Sequence, residues 1–248
     1  MTKLFKKIQM NFNKASHSYD TVAHIQRHAA EFLFGKLLAL SNCVPKTILD
    51  LGTGTGYIPE LLLLKYPDSS YYLNDIAYEM LERCRVKFSK YPNIHYLHQD
   101  MLQLNTNSFD LVISNLALQW ADDLWSALHL LHSKSSKIFA FSTLLEGTFK
   151  EWEDIINRHQ DIRINSYPQS QEVADFCNNI KSVQAFDHWT IDISIPFDNP
   201  LTFIHYLKSL GASASKNPIG LSNLRSLLFK NSKKYFIGHR YCVFFFPE

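Results

Sequence analysis

The sequence lacks the features that place a chain in a membrane or outside the cell. No apolar run approaches the roughly 20 residues that a spanning helix needs. The first 13 residues carry lysines but no apolar stretch and no small-residue cleavage site, so a secretory leader is not expected there. Cysteine is sparse. Cys43, Cys84, Cys177 and Cys242 are far apart and form no C-x-x-C pair. That spacing argues against a zinc site or a disulfide framework and makes a reducing cytosol the expected compartment. There is no internal repeat, low-complexity tract or clear linker, so one domain is expected over residues 1–248.

Acid is missing from two stretches. Residues 1–19 hold four lysines and no Asp or Glu, and residues 199–247 hold Lys208, Lys216, Arg225, Lys230, Lys233, Lys234 and Arg240, again without acid. A solvated basic surface explains this simply; a docking face for an acidic partner explains it more sharply. The net charge is only +2, and no nucleic-acid-binding module is recognisable, so nucleic acid is not expected as a partner.

What is present is an ordinary core composition, 46% apolar and 19% charged over 248 residues, arranged as alternating strands and helices. Val22, Ile25, Ala29, Phe32, Leu33 and Leu37 recur at helical spacing and predict a helix over 20–41. Short apolar segments at 47–51, 71–73, 94–97, 109–114 and 136–142 predict five strands. Helices are expected between them at 57–65, 78–88 and 124–131. This alternation points to a mostly parallel sheet with helices on both faces. After Gly147 the pattern changes: 148–181 reads as helical and polar, 183–195 as a strand, 201–210 as a helix and 234–246 as a final strand. The expected layout is an N-terminal helical lid at 1–44, a core at 45–146, and an insertion with the rest of the sheet at 147–248.

The first strand runs into Asp50-Leu-Gly-Thr-Gly-Thr-Gly56. A Gly-rich turn between strand and helix lets backbone approach a ligand, and the helix start offers N–H groups. A dinucleotide fingerprint needs G-x-G-x-x-G, and Tyr57 stands where its third glycine would be, which argues against NAD. Asp75, at the end of the second strand, is placed to accept bonds from both ribose hydroxyls. Asp100, followed by Met101, ends the third strand, and Ser114-Asn-Leu116 ends the fourth. Any one Asp is most simply a turn or cap residue; four acidic or polar strand ends in order point to a ligand.

Asp50-x-Gly-x-Gly-x-Gly56 resembles motif I of the class I methyltransferases, over roughly residues 45–145. That resemblance implies a Rossmann-like seven-stranded fold with a helical lid insertion. It also implies an S-adenosylmethionine site formed by Asp50, Gly52, Thr53, Gly54, Gly56, Asp75, Ile76, Asp100, Met101, Asn115 and Leu116, with Asp100 taking the adenine amino group. Flanking segments narrow the match. Asn11-Phe-Asn-Lys-Ala-Ser-His-Ser-Tyr-Asp20 with Ala23-His-Ile-Gln26, Ser114-Asn-Leu-Ala-Leu-Gln-Trp120, Phe141–Phe149 and Tyr206–Ala212 together resemble the malonyl-acyl-carrier-protein O-methyltransferases of biotin synthesis. Residues 150–195 match that family poorly.

The family resemblance implies methyl transfer to the free carboxylate of a malonyl thioester on acyl carrier protein, with no metal. It points to Tyr19 as part of a lid over cofactor or substrate, and to Gln119 and Trp120 on the acceptor side. Tyr19 and Trp120 are also natural core-packing residues. His17 reads as a surface histidine. His24 and His28, one helical turn apart, permit a metal, but no Glu follows His24 and no third ligand is evident. Fold alone does not fix the acceptor. Another small molecule or tRNA remains open and would gain ground if malonyl thioesters were refused. An inactive cofactor-binding adaptor also remains, and failure to turn over S-adenosylmethionine would favour it.

Overall fold

The fold follows from the apolar strand segments, each short enough to be buried on both faces. The computed structural model describes residues 3–157, 166–180, 186–213 and 235–246. Five parallel strands come first: β1 (Thr47–Leu51), β2 (Ser70–Asp75), β3 (Ile94–His98), β4 (Phe109–Asn115) and β5 (Ser135–Leu144). Two long strands complete the sheet, β6 (Asp187–Phe197) and β7 (Tyr235–Phe246). Among the described residues the sheet has seven strands, in the order β3-β2-β1-β4-β5-β7-β6. Only β7 runs against its neighbours, pairing antiparallel with both β5 and β6. The strand order reverses between β1 and β4, which are direct partners; in open sheets of this kind that crevice is where ligands bind.

Among the described residues the helices are α1 (Lys3–Ala15), α2 (Tyr19–Val22), α3 (His24–Leu40), α4 (Tyr57–Leu63), α5 (Tyr78–Lys87), α6 (Leu124–Ser133), α7 (Lys150–Asn157), α8 (Ser170–Asn178) and α9 (Pro200–Ser209). Alternation along each strand divides the core into two layers. Ile48, Leu73, Leu111 and Ile113 pack with Leu33, Leu37, Leu62 and Leu81 of α3, α4 and α5. Leu49, Leu51, Val112, Phe139 and Phe141 pack with Leu128, Leu131 and Cys177 of α6 and α8. A third, aromatic cluster holds Trp152, Phe197, Phe203, Tyr206 and Ile237, with Ala23 and Tyr19 against it. Among the described residues no helix is long and apolar enough to cross a membrane.

Two expectations change. The helix expected over 20–41 is two helices broken at Ala23, whose φ of −77° and ψ of 42° are not helical. Below the break, the Asp20 carboxylate is drawn to the Gly-rich turn, where it accepts from Thr55 Oγ1 at 2.6 Å. The second change is at Asp100, which does not end β3. That strand stops at His98, and Asp100 caps a short 3-10 turn (Met101–Gln103) by accepting from Leu102 N at 3.0 Å. Of the basic residues named above, Lys216, Arg225, Lys230, Lys233 and Lys234 lie outside the described residues.

Candidate active site

The carboxyl ends of β1, β2 and β4, with the turn after β3, open on one cleft at the strand-order reversal. Three adjoining parts of it share Gly52. One runs past Asp50, Thr53 and Tyr57. One lies between Gly54, Asp75, Asn115 and Trp120. One reaches Asp100, Met101 and Trp120. Thus Asp50, Gly52, Thr53, Gly54, Asp75, Ile76, Asp100, Met101, Asn115, Leu116, Tyr19 and Trp120 all line this space. A larger open groove by Glu146, Glu151, Asp192 and Arg240 lies elsewhere. In it Arg240 pairs with Asp192 at 2.7 Å and Glu151 accepts from Gly238 N at 2.9 Å. The cleft at the strand ends holds buried side-chain oxygens without partners, on Gln26, Asp50 and Thr53.

The Gly-rich turn is shaped by close approach. A Cβ on Gly52 would fall 2.3 Å from Ala117 Cβ, so the turn can sit against β4's exit only without a side chain there. Gly54 has φ +56°, and a Cβ on it would face the Tyr19 ring at 3.8 Å. The backbone donors of the turn are largely spent inside the protein. Thr53 N donates to Asn74 O, Gly56 N to Thr53 O, and Gly54 N to Asp75 Oδ2 at 2.9 Å. The helix that follows is only seven residues long. The expected supply of free N–H groups is therefore reduced, and the cleft wall offers mainly acceptors. Gly54→Ala is expected to lower unfolding stability by about 1–2 kcal/mol, the usual cost of left-handed backbone for a residue with a Cβ, as read by urea denaturation.

Burial governs the charges. Desolvation raises the Asp50 carboxyl to about 7, eased by the nearby Thr53 hydroxyl and reinforced by Asp75. That hydroxyl lies near Asp50 but makes no hydrogen bond of normal geometry, since both Thr53 Oγ1 and Asp50 Oδ2 are left without partners. Asp75 is raised to about 6 by the same cause, offset by the N–H groups of Ala77 and Gly54. The Tyr19 ring is half-buried, but its hydroxyl end is enclosed. Burial and then Asp75 push that hydroxyl well above its ordinary range.

The remaining positions differ from one another. Leu116 has a left-handed φ of 45°, held by its N–H on Ser142 O and Oγ. The Asn115 side chain is a brace, donating to Gln26 O at 2.9 Å and accepting from Ser142 Oγ at 2.7 Å. Gln119 turns back to donate to Leu116 O at 2.6 Å and is not among the residues lining the cleft. Gly56 caps α4 behind the turn. Trp120 stands edge-on to Phe12, centroids 5.5 Å apart. His17 is exposed beside Arg83, and His28 bonds to Tyr241 Oη at 2.6 Å. Among the described residues no group of three or more His, Cys, Asp or Glu is placed to hold a metal.

Sequence reasoning expected a lid but named none of its α1 residues, and it missed one wall. Ile8 and Phe12 of α1 line the cleft, and Gln9 Nε2 ties α1 down by donating to Ile76 O at 2.9 Å. Asp20, Gln26 and Arg27 line the part next to Asp50. The contacts of Asp20 and Gln26 cross 35 and 89 positions of sequence, and Arg27 reaches the Tyr57 ring, so no local spacing announces them.

A family model described as a methyltransferase domain matches residues 48–134. The chain is 29% identical to the malonyl-[acyl-carrier protein] O-methyltransferase of Neorickettsia risticii, over 96% of this chain and 94% of that one. It is 30% identical to the enzyme of the same name from Acetivibrio thermocellus, over 85% of this chain and 79% of that one. The fold is similar to the YcgJ protein of Bacillus subtilis, with a TM-score of 0.61 at 12% identity, over 88% of this chain and 98% of that one. The strand order, the Gly-rich turn and this similarity along nearly the whole length agree: the chain belongs to the malonyl-[acyl-carrier protein] O-methyltransferase family, with the class I methyltransferase fold.

Proposed function

We propose that this protein transfers a methyl group from S-adenosylmethionine to the free carboxylate of a malonyl thioester carried on acyl carrier protein. The ester product would start the pimeloyl chain of biotin. The observation that carries the cofactor half is the convergence of Asp50, Asp75, Asp100 and Asn115 on one cleft around Gly52. The residues present fit the cofactor. Asp50 Oδ2 and Thr53 Oγ1 are buried acceptors without donors, and Gly52 and Gly54 keep side chains out of the space. In this reading Asp75 takes the ribose, and Asp100 with Met101 takes the adenine. The acceptor half rests on the names of relatives that match along most of their length.

S-adenosylmethionine supplies a methyl group bonded to a positively charged sulfur. A carboxylate acceptor is already ionised at neutral pH, so no side chain has to remove a proton. The site agrees with that economy. Tyr19 holds its proton far into the alkaline range, so it acts as a hydrogen-bonding wall rather than a base. Trp120 and Phe12 close the opposite side with apolar surface and exclude water. Catalysis then consists chiefly of holding the nucleophilic oxygen in line with the methyl group. Within this reading α1 and α2 serve as the lid.

Incubation with methyl-labelled S-adenosylmethionine and malonyl-acyl carrier protein should leave base-labile label on the carrier. Label on another acceptor with none on the carrier would overturn the reading. The carrier-docking part has its own test, based on charge in the sequence. Acyl carrier proteins are acidic, so Lys233→Glu with Lys234→Glu should raise KM for the carrier-bound substrate several-fold. KM for a small malonyl thioester should hardly change. Equal effects on both substrates would count against docking there.

A further inference from the structure

The part of the cleft facing α3 contains three buried side-chain oxygens that no protein donor meets: Asp50 Oδ2, Thr53 Oγ1 and Gln26 Oε1. All three residues line the same space. Buried polar groups are almost always partnered, so three orphans on one cavity wall mark a place for a ligand's donors. The set narrows that ligand. A carboxylate, a carboxamide oxygen and a hydroxyl offer one negative charge and three acceptor atoms. A primary ammonium brings one positive charge and three N–H donors, matching them in sign and number.

Arg27 lines the same space and is 40% exposed at its side chain. Its guanidinium lies 3.9 Å from Asp20 and over the Tyr57 ring at 5.2 Å. The ion pair is long and half in solvent, which leaves the planar fork available to a ligand carboxylate. An ammonium site beside a carboxylate site is the recognition pattern of an α-amino acid.

We propose that Gln26 and Arg27, on the first turn of α3, recognise the amino-acid end of the cofactor. Gln26 Oε1 joins Asp50 Oδ2 and Thr53 Oγ1 around its ammonium, and Arg27 takes its carboxylate. This rests on the S-adenosylmethionine reading above. The surrounding structure sets Gln26 in position. Its carbonyl accepts from Asn115 Nδ2, whose own Oδ1 is held by Ser142 Oγ, so the helix is pinned to the ends of β4 and β5. Asp20 adds a second tie through Thr55. The Asn115 side chain is then a positioning group for Gln26.

The test compares two ligands by calorimetry without any methyl acceptor. S-adenosylhomocysteine carries the amino-acid end; 5′-methylthioadenosine keeps the adenine, ribose and thioether but lacks it. Gln26→Leu and Arg27→Leu should each weaken S-adenosylhomocysteine binding 10- to 100-fold and change methylthioadenosine binding less than threefold. Arg27→Lys, which keeps the charge but loses the fork, should fall between wild type and Arg27→Leu. Ligand-free thermal denaturation of each variant should match wild type. Equal weakening of both ligands, or unchanged S-adenosylhomocysteine binding, would overturn the clamp while leaving the cofactor reading intact. A wild-type protein that bound neither ligand would overturn both.

Discussion

Asp75→Ala is expected to weaken S-adenosylmethionine binding by at least 100-fold. Each carboxylate oxygen already holds one backbone donor: Oδ2 accepts from Gly54 N at 2.9 Å and Oδ1 from Ala77 N at 2.7 Å. Each retains a lone pair, and the residue lines the cleft between Gly54 and Ile76. Those two positions suit the two hydroxyls of a ribose. A charge-assisted bond contributes about 1.5–3 kcal/mol, so losing two corresponds to roughly 10²- to 10⁴-fold in affinity. The alanine variant also strands the Gly54 and Ala77 N–H groups. Each costs about 1–3 kcal/mol if it finds no water, so the ligand-free protein should also unfold at lower denaturant. Asp75→Asn keeps the shape and one carbonyl acceptor but turns an NH₂ toward a donor. It should lie between wild type and alanine in both measurements. Calorimetry showing unchanged affinity in Asp75→Ala would refute the role.

How much of this was legible in the sequence depends on the range of the contact that makes each feature. The five parallel strands were readable because each is a short apolar run beside a turn. β1 at 47–51 coincides with its sequence segment, and the others differ by a few residues at their ends. The Gly-rich turn was readable because Gly52, Gly54 and Gly56 answer to local backbone demands. Strand-end positions such as Asp75 and Asn115 followed from the strands themselves. The break at Ala23 was not readable. It accompanies a contact between Asp20 and Thr55, and the apolar periodicity runs on through it. Asp100 was misplaced because an Asp two residues past a strand and an Asp ending it look alike without the cap bond to Leu102.

The polar residues of α3 show the same limit more sharply. Gln26 and Arg27 sit among apolar core positions, on a helix whose sequence signals only an amphipathic face. What makes them part of the site is the brace from Asn115 and the orphaned oxygens of the cleft. Neither exists until β4 and α3 are packed. Gln119 is the converse case. Its position after β4 suggested an acceptor contact, but a local bond to Leu116 O turns it away. Short-range hydrogen bonds of this kind compete with function for the same side chain.

Asp50→Asn should produce opposite changes in stability and binding, because the same burial causes both. In the ligand-free protein Asp50 is raised to about 7 by desolvation. The folded state therefore holds this proton more tightly than the unfolded chain. The stability that comes with protonation is fully present below the ordinary carboxylate range near pH 4 and is lost as pH rises through about 7. At pH 8 the ionised side chain thus costs the fold on the order of 2–4 kcal/mol, at about 1.4 kcal/mol per pKa unit. A neutral, nearly isosteric Asn avoids that cost. The variant should be more stable than wild type at pH 8, with the gain shrinking toward pH 5. Cofactor binding should move the other way. The ionised carboxylate is the form that pairs with an ammonium, so wild-type affinity for S-adenosylhomocysteine should fall up to tenfold for each pH unit below about 7. Asn has no charge to supply. Its affinity should be at least tenfold weaker at pH 7.5 and nearly flat between pH 5.5 and 7.5. Urea denaturation at two pH values and calorimetry across that range would measure both. A variant no more stable than wild type at pH 8, or one retaining the wild-type pH slope in binding, would show that the Asp50 charge is not what the cleft holds in reserve for its ligand.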